Sequence, residues 1–406
     1  MSNYKRKSEM AYLFISLCLF LTSKIAYWIP VTIVLFIFLF LLFTERKFII
    51  KNELLPLLLL FILSLIMSII NVDSLNNRNI LKDISYFIRP LVIIYCGAAI
   101  TWKLNLTKNS LIKLVVYYSL FSAIYNFLNI AININEILRN FNFLTIRENM
   151  GSSDEIAMIG FSILLTTNNK TVFSLKSKIV MSLIFAANLI ISFSRVKYIT
   201  FFISYIILSF RRRKLTFKFV IKIIVLSIVL PTVIYFISKT NIFEPFINKL
   251  LYTFNEINNE SNWNDYRTIV HNWRGYEMYQ AKQQYASFTL FNKINGYGLG
   301  TLIPVLHSNL VGVPIEDGGI ILLHNGFYTI LIKSGLVGMF FYVLFHVLSL
   351  IKSYKKNDKY ESKLLLTITL IHLLHTYIIT GMFKSFYSLG LLLLWGALLR
   401  KDSANE

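Results

Sequence analysis

Three basic side chains in the second half of the sequence have a spacing that could form an anion-binding site. Arg267, His271 and Arg274 fall at i, i+4 and i+7, so a single helix over Asp265–Phe288 would present them on one face. Guanidinium groups offer paired N–H donors that match the oxygens of a phosphate. A solvated helix face has the same spacing, so this pattern alone leaves both interpretations open.

A histidine followed by an asparagine, His324 and Asn325, precedes the last apolar blocks of the chain. Imidazole is the side chain most often used as a general base near neutral pH. A lone histidine is more often a hydrogen-bonded structural residue, so His324 becomes a candidate only together with other groups.

Two arginines, Arg89 and Arg195, lie within or at the end of apolar blocks. A charge at membrane depth is costly, which makes such an arginine a functional candidate by default. The alternative is that the side chain extends to the membrane interface, which is easier for Arg195 than for Arg89.

No spacing of ligating residues predicts a metal site, and no glycine-rich nucleotide loop is present. His372 and His375 lie at i and i+3, but no nearby carboxylate or cysteine completes a site, so hydrogen bonding between helices is the preferred interpretation. We therefore expect neither a metal ion nor a cofactor.

The apolar blocks between these residues predict an all-α polytopic membrane protein. The sequence is 56% hydrophobic and 15% charged, against about 45–50% and about 25% for soluble domains. A helix of roughly 20 residues crosses the bilayer core, and about twelve blocks come close enough in length to serve as spans. They lie near 9–23, 26–44, 54–71, 84–102, 111–131, 154–168, 178–193, 196–210, 218–238, 335–352, 363–381 and 385–400.

The basic residues predict the orientation of these spans. The net charge is +21, and the Lys and Arg residues follow every second span in short runs rather than forming a stripe. This pattern argues against a nucleic-acid partner and places both termini in the cytoplasm. The longest hydrophilic stretch, before span ten, then lies outside and is rich in aromatic residues, which indicates a folded cap. The predicted division is a transmembrane domain of spans one to nine at 1–238, an outer loop at 239–334, and spans ten to twelve with a cytoplasmic tail at 335–406.

Within the outer loop, His324–Lys333 is apolar enough to belong to a span. Treating it as a separate span would place the basic run at 355–363 outside, against the orientation rule. We therefore interpret this segment as a short helix at the outer surface or a re-entrant one.

Three stretches resemble the O-antigen ligase and polymerase superfamily. The first is the His-Asn at 324–325, followed by an aromatic-rich segment and Gly-Leu-x-Gly at 335–338. The second is the Gly-x-Gly-x-Gly-Thr turn at 296–301, and the third is the Ser-Arg turn at 194–195. Arg267, with Trp273 after it, is similar to the Arg-to-Trp helix that precedes the glycine-rich turn in that superfamily. The sequence departs from the pattern at Lys333, close to a position that is often acidic, and no catalytic role is assigned there.

The resemblance implies a metal-independent membrane glycosyltransferase with a GT-C-type fold, in the cytoplasmic membrane, with its active site on the outer face. Such a polymerase joins undecaprenyl-diphosphate-linked oligosaccharide repeat units into O-antigen or capsular polysaccharide. Arg195 and Arg267 would contact the diphosphate, and His324 would activate the acceptor hydroxyl. The expected substrate-binding residues are Arg274, Arg89, His271 and Asn325. The lipid-linked oligosaccharide and membrane lipids are the expected partners, and a chain-length regulator is the further protein partner to be considered.

Other functions remain open from the sequence. A ligase, which moves finished polysaccharide to lipid A core or another acceptor, shares the same motifs. A non-enzymatic flippase or transporter would favour internal repeats, which are not evident. A membrane scaffold would leave the ordered Arg and His motifs unexplained.

Overall fold

The computed structural model describes residues 2–24, 52–104, 106–139, 143–150, 155–167, 172–192, 194–210, 263, 265–305, 319–355, 360–383 and 389–400. The predicted spans at 26–44 and 218–238 lie outside these residues. So do the first part of the predicted outer loop and the segment 306–318.

The described residues are mostly helical, with a single pair of two-residue strands among them. In chain order the helices are α1 (Ser2–Lys24), α2 (Leu55–Ile70), α3 (Asn77–Lys103), α4 (Lys108–Ile132), α5 (Ile134–Arg139), α6 (Phe143–Asn149), α7 (Ile156–Thr166), α8 (Leu175–Ile191), α9 (Arg195–Ser209), α10 (Tyr266–His271), α11 (Trp273–Ser287), α12 (Leu290–Asn295), α13 (Gly326–Lys355), α14 (Tyr360–Ile378) and α15 (Leu389–Leu399). The strands are β1 (Ile303–Pro304) and β2 (Gly319–Ile320), which pair antiparallel.

Three of the described helices, α3, α4 and α13, are long and apolar enough to cross a membrane. Shorter apolar helices accompany them at Met10–Leu21, Leu55–Ile70, Ile156–Thr166 and Leu389–Leu399. The predicted class, an all-α membrane protein, is therefore confirmed. The number of twelve spans, the GT-C-type fold and the orientation stay predictions.

The chain forms two compact units, and the first comprises Met1–Leu21 and Thr107–Ile257. Its described centre is α7, an apolar helix that packs against α4, α8 and α9. Every residue of α7 from Ile156 to Leu164 is buried, which explains why this short helix is apolar on all sides. At the edge of the unit, Phe20 of α1 packs against Tyr118, Phe121 and Tyr125 of α4.

The second unit comprises Thr22–Leu106 and Asn258–Glu406. Its helices α3 and α15 pack along each other, with Val92 and Cys96 of α3 buried in a cluster that includes Leu393. Helix α13 packs against α2 and α14. These units follow contacts within the chain, whereas the predicted division at 238 and 334 follows the side of the membrane, which nothing in the structure tests.

The predicted short helix before span ten is present. Helix α13 begins at Gly326 and is interrupted at Gly335, whose φ of 64° and ψ of −163° are not helical. The segment before Gly335 is thus a short helix joined by a kink to a long apolar one. A Cβ at Gly335 would lie 2.3 Å from the carbonyl oxygen of Ile294, so both the backbone conformation and the packing require glycine.

The prediction of one helix over Asp265–Phe288 is wrong, because two helices occupy this range. The backbone leaves the helical conformation at Asn272, with φ of −114° and ψ of 39°. The side chain of Asp265 caps α10 by accepting hydrogen bonds from the N–H groups of Arg267 and Thr268. The hydroxyl of Thr268 also donates to the carboxylate of Asp265, at 2.9 Å. This bond, followed by the backbone bonds, lowers the pKa of the Asp265 carboxyl.

Candidate functional site

The glycine-rich turn at 296–301 is tied to helices on either side of it. The N–H of Tyr297 donates to Ile332 O at 2.9 Å, and the N–H of Gly298 donates to Lys333 O at 3.0 Å. On the opposite side, Leu299 N–H donates to Ser68 Oγ at 2.5 Å. The turn thus connects α2 to the short helical segment that follows the His-Asn motif.

Replacing Gly298 with Ala should destabilise this turn. The residue has a φ of 107°, and a Cβ there would lie 2.5 Å from the backbone N of Ser68. We expect a loss of about 1–3 kcal/mol of stability from backbone strain alone, with a further loss from the clash. The thermal unfolding of the purified variant in detergent measures this effect. Gln283→Ala, at an exposed position of α11, is the matched control, and an equal Tm for the two variants would contradict the assignment.

A buried ion pair lies beneath the turn. Lys333 Nζ contacts Asp83 Oδ2, and both side chains are wholly buried. Lys333 also donates to Thr301 O at 3.1 Å, and Asp83 Oδ2 accepts the N–H of Gly300 at 2.6 Å. The pair therefore joins α3, the glycine-rich turn and the start of α13 through hydrogen bonds as well as charge.

Sequence reasoning missed this pair. Lys333 was noted only as a departure from the superfamily pattern, and Asp83 was not considered. A signal was present, because each is a charged residue beside or within an apolar run, where a partner of opposite charge is expected.

His324 is held by a carboxylate that sequence reasoning also missed. Its Nδ1 lies 2.9 Å and 3.0 Å from the two oxygens of Glu277. The backbone N–H of His324 donates to Glu277 Oε2 at 2.9 Å. With Nδ1–H donated to the carboxylate, Nε2 of the neutral ring is the acceptor nitrogen. The His324 side chain retains 31% of its exposure while Glu277 is buried, so the imidazole is reachable and the carboxylate is not.

An apolar cluster fixes the helix that carries Glu277. Trp273 and Tyr276 of α11 are buried, and Ile332 from the short part of α13 packs in the same cluster. The buried members are Ile269, Trp273, Tyr276, Ala281, Ile303, Val305, Ile320, Leu323 and Ile332. The cluster brings α11 and the segment before α13 together, which positions Glu277 against His324 across 47 residues of sequence.

Asn325 caps the start of α13. Its Oδ1 accepts the N–H of Phe327 at 3.0 Å, and its Nδ2 lies 3.6 Å from the sulfur of Met278. The side chain is buried, so its visible role is to fix the backbone next to His324. The predicted substrate-binding role of Asn325 stays a prediction.

The residues of the predicted arginine and histidine face are divided between α10 and α11, and a shared anion-binding face stays a prediction. Arg267 is exposed on α10 and Arg274 is half-buried on α11. Arg274 lies three residues before Glu277 and so shares a face of α11 with it. His271 is the last residue of α10, and its side chain lies outside the described ones.

Of the other two arginines, Arg89 lies in a helix long and apolar enough to span a membrane, and Arg195 begins a shorter helix. Arg89 is buried within α3, with its guanidinium 5.4 Å from the centre of the Tyr86 ring. That position fits the expectation of a charge at membrane depth. Arg195 is the first residue of α9 in the first unit and is half-buried.

A polar cavity of about 850 Å³ lies beside the glycine-rich turn in the second unit. Its rim includes exposed residues such as Ser74 and Thr289, and its floor includes buried Asn79 and Thr301. The described residues that line it are Ser74, Leu75, Asn76, Asn79, Gln284, Ser287, Phe288, Thr289, Asn292, Tyr297, Gly300, Thr301 and Leu302.

Among the described residues, no three His, Cys, Asp or Glu side chains are grouped as a metal site. The expectation of a metal-independent site stays a prediction. In the second unit, the carboxylate of Glu277 holds the imidazole of His324, and Arg274 lies on the same face of α11 as Glu277.

No protein-family model matches the chain, and no characterised protein matches it at a significant level. The resemblance to the O-antigen ligase and polymerase superfamily therefore depends on the sequence motifs alone.

Proposed function

We propose that the chain is a membrane glycosyltransferase that polymerises undecaprenyl-diphosphate-linked oligosaccharide repeat units at the outer face of the cytoplasmic membrane. The observation that carries this proposal is the His324–Glu277 pair, which gives the His-Asn motif the geometry of a general base. The same buried carboxylate holds Nδ1 and accepts the backbone N–H of His324, which fixes the ring and leaves Nε2 to act on a substrate.

The proposed reaction is a single displacement with inversion at the anomeric carbon. Nε2 of His324 takes the proton of the acceptor hydroxyl as its oxygen attacks the anomeric carbon of the donor sugar. The bond from that carbon to the diphosphate oxygen breaks, and its electron pair leaves with the diphosphate. Glu277 stabilises the imidazolium that forms, as a carboxylate partner does for a catalytic histidine.

The leaving diphosphate gains negative charge, which arginine side chains can stabilise. Arg274 shares a helix face with Glu277, and Arg267 lies on the preceding helix. Arg89, buried within α3, is the further candidate in the same unit. Arg195 lies in the first unit and stays a prediction from its motif. Fixed guanidinium groups could supply the charge that a metal ion supplies in other glycosyltransferases.

The acceptor distinguishes a polymerase from a ligase, and lipid-linked intermediates report which acceptor is used. In cells that lack the chain, we expect single repeat units to accumulate on undecaprenyl diphosphate, and the wild-type gene should restore long polymer. The extracted lipid-linked glycans, separated by size and identified by mass spectrometry, provide the measurement.

Three other outcomes would reject the polymerase. Accumulation of long chains on the lipid carrier would identify a ligase. Single repeat units that accumulate only on the cytoplasmic leaflet would identify a flippase. Unchanged polymer together with unchanged lipid-linked glycans would remove the polymerase, the ligase and the flippase and leave the scaffold.

A further inference from the structure

We propose that the cavity beside the glycine-rich turn is a binding subsite for uncharged sugar rings of the glycan. This inference rests on the proposed function, because it names how that glycan is held next to His324. The argument comes from the lining of the cavity, the state of its hydrogen-bonding groups, its aromatic wall and its position on α11.

The described lining consists of neutral hydrogen-bonding groups. None of the described residues that line the cavity carries a formal charge, and most are Asn, Gln, Ser or Thr. Such side chains both donate and accept, as a ligand with many hydroxyl groups requires. A diphosphate calls for cationic donors instead, so this cavity suits the sugars rather than the leaving group. Its volume of about 850 Å³ falls within the range of about 300–1,000 Å³ for ligand sites.

One acceptor in the lining is buried without a protein partner in the described part of the chain. Gln284 Nε2 donates to Leu302 O at 2.9 Å, which fixes the orientation of the amide. The other end of the same amide, Oε1, is buried and accepts no hydrogen bond from the described residues. A buried acceptor left in this state is costly. Oε1 has almost no exposed surface, so a sugar hydroxyl donates to it only after the amide side chain shifts toward the cavity.

Two aromatic rings supply an apolar wall. Phe288 and Tyr297 stack with their centres 5.3 Å apart and their planes inclined by 25°. The hydroxyl of Tyr297 donates to Ser74 Oγ at 3.1 Å, so this ring is fixed before any ligand binds. The C–H faces of a pyranose pack against such rings, while its hydroxyl groups reach the amides around them.

Helix α11 contributes Gln284 to the lining of the cavity and Glu277 to the contact with the candidate base His324. Gln284 follows Glu277 by seven residues on α11, which is two turns along one face and about 10.5 Å along the axis. The floor is anchored as well, because Gly300 donates to Asp83 and Thr301 accepts from Lys333. A sugar held in this cavity is therefore at a fixed distance from His324. It would be a sugar of the glycan other than the one whose ring reacts.

Binding of a lipid-free probe tests the subsite separately from catalysis. The probe is the neutral repeat-unit oligosaccharide released from the host's own surface polysaccharide, titrated calorimetrically into the full-length protein in lipid nanodiscs. We expect Gln284→Leu to weaken binding about tenfold, which corresponds to one lost hydrogen bond. Inorganic pyrophosphate should not displace the probe.

Two variants on α12 form a matched pair. Asn292 lines the cavity, whereas Asn295 lies on the same short helix outside the lining. Asn292→Leu should weaken binding and Asn295→Leu should leave it unchanged, with thermal unfolding confirming that both variants fold. His324→Ala should bind the probe normally although it is inactive.

The outcomes separate the two proposals. The subsite would be overturned if the wild-type protein did not bind the probe, or if the Gln284 and Asn292 variants bound it as tightly as the wild type. Either result would leave the polymerase proposal intact. Variant-dependent binding in a chain whose loss leaves the polymer and the lipid-linked glycans unchanged would retain the subsite and remove the polymerase.

Discussion

Replacing His324 with Ala is expected to reduce polymer formation by about 10²–10⁴-fold at unchanged protein level, because the acceptor hydroxyl loses its base. The imidazole is the reachable member of the pair, with 31% of its side chain exposed. The measurement is the rate of polymer formation from lipid-linked repeat units in membranes. Lys282→Ala, at an exposed position of α11, serves as the control.

Glu277 acts through His324, so its substitution should have a different signature. Glu277→Gln keeps the size of the side chain, but its amide can donate to Nδ1 and thereby favour the wrong tautomer of the imidazole. We expect kcat to fall sharply while KM changes little, and the pH profile of kcat to shift, which a purely structural residue would not cause. A variant of either residue with wild-type rate would contradict the assignment of the pair.

The hydrophobic pattern was sufficient to locate the long apolar helices among the described residues. The span expected at 54–71 is helix Leu55–Ile70, and the one expected at 363–381 is helix Tyr360–Ile378. Apolar blocks of this length have few alternatives to a helix once the backbone must satisfy its own hydrogen bonds. The charge rule predicts a short surface or re-entrant helix at His324–Lys333, and the structure has a short helical segment from Gly326 to the kink at Gly335, a kink that the sequence analysis does not predict.

The break at Asn272 was not predictable from periodicity. Ile269, Trp273 and Tyr276 lie at i, i+4 and i+7 and pack in one apolar cluster, a spacing that a continuous helix would also produce. The non-helical backbone at Asn272, with φ of −114° and ψ of 39°, has no signal in this pattern, and we have no physical account of it.

The candidate site was half visible in the sequence. The motif identifies His324, whereas no pattern in the sequence singles out Glu277, 47 residues earlier. The partners Asp83 and Lys333 are separated by 250 residues. Contacts of this kind are created by the packing of α3 and α13 around the glycine-rich turn, and no local pattern in a single sequence encodes them.

The buried pair provides the prediction with the largest effect on stability. Asp83→Asn or Lys333→Met alone should lower the free energy of unfolding by about 3–5 kcal/mol, because each leaves the other charged side chain of the pair buried without a partner of opposite charge. The loss should be measurable as a lower Tm of the purified protein in detergent. Glu53→Gln breaks the pair with Lys352, where 20% and 15% of the two side chains remain exposed, and it should cost only about 0–1 kcal/mol.

The double variant Asp83→Leu/Lys333→Met distinguishes two contributions of the pair: the mutual neutralisation of the two charges, and the hydrogen bonds that hold the glycine-rich turn. If the pair contributes mainly by mutual neutralisation, the double variant should recover most of the stability lost by either single variant. The N–H of Gly300 and the carbonyl of Thr301 would then still lose their partners, so the glycine-rich turn should be less ordered and activity should stay low. Recovery of both stability and activity would show that the pair has no part in positioning the turn beside His324. Single variants as stable as the wild type would contradict the buried pair itself.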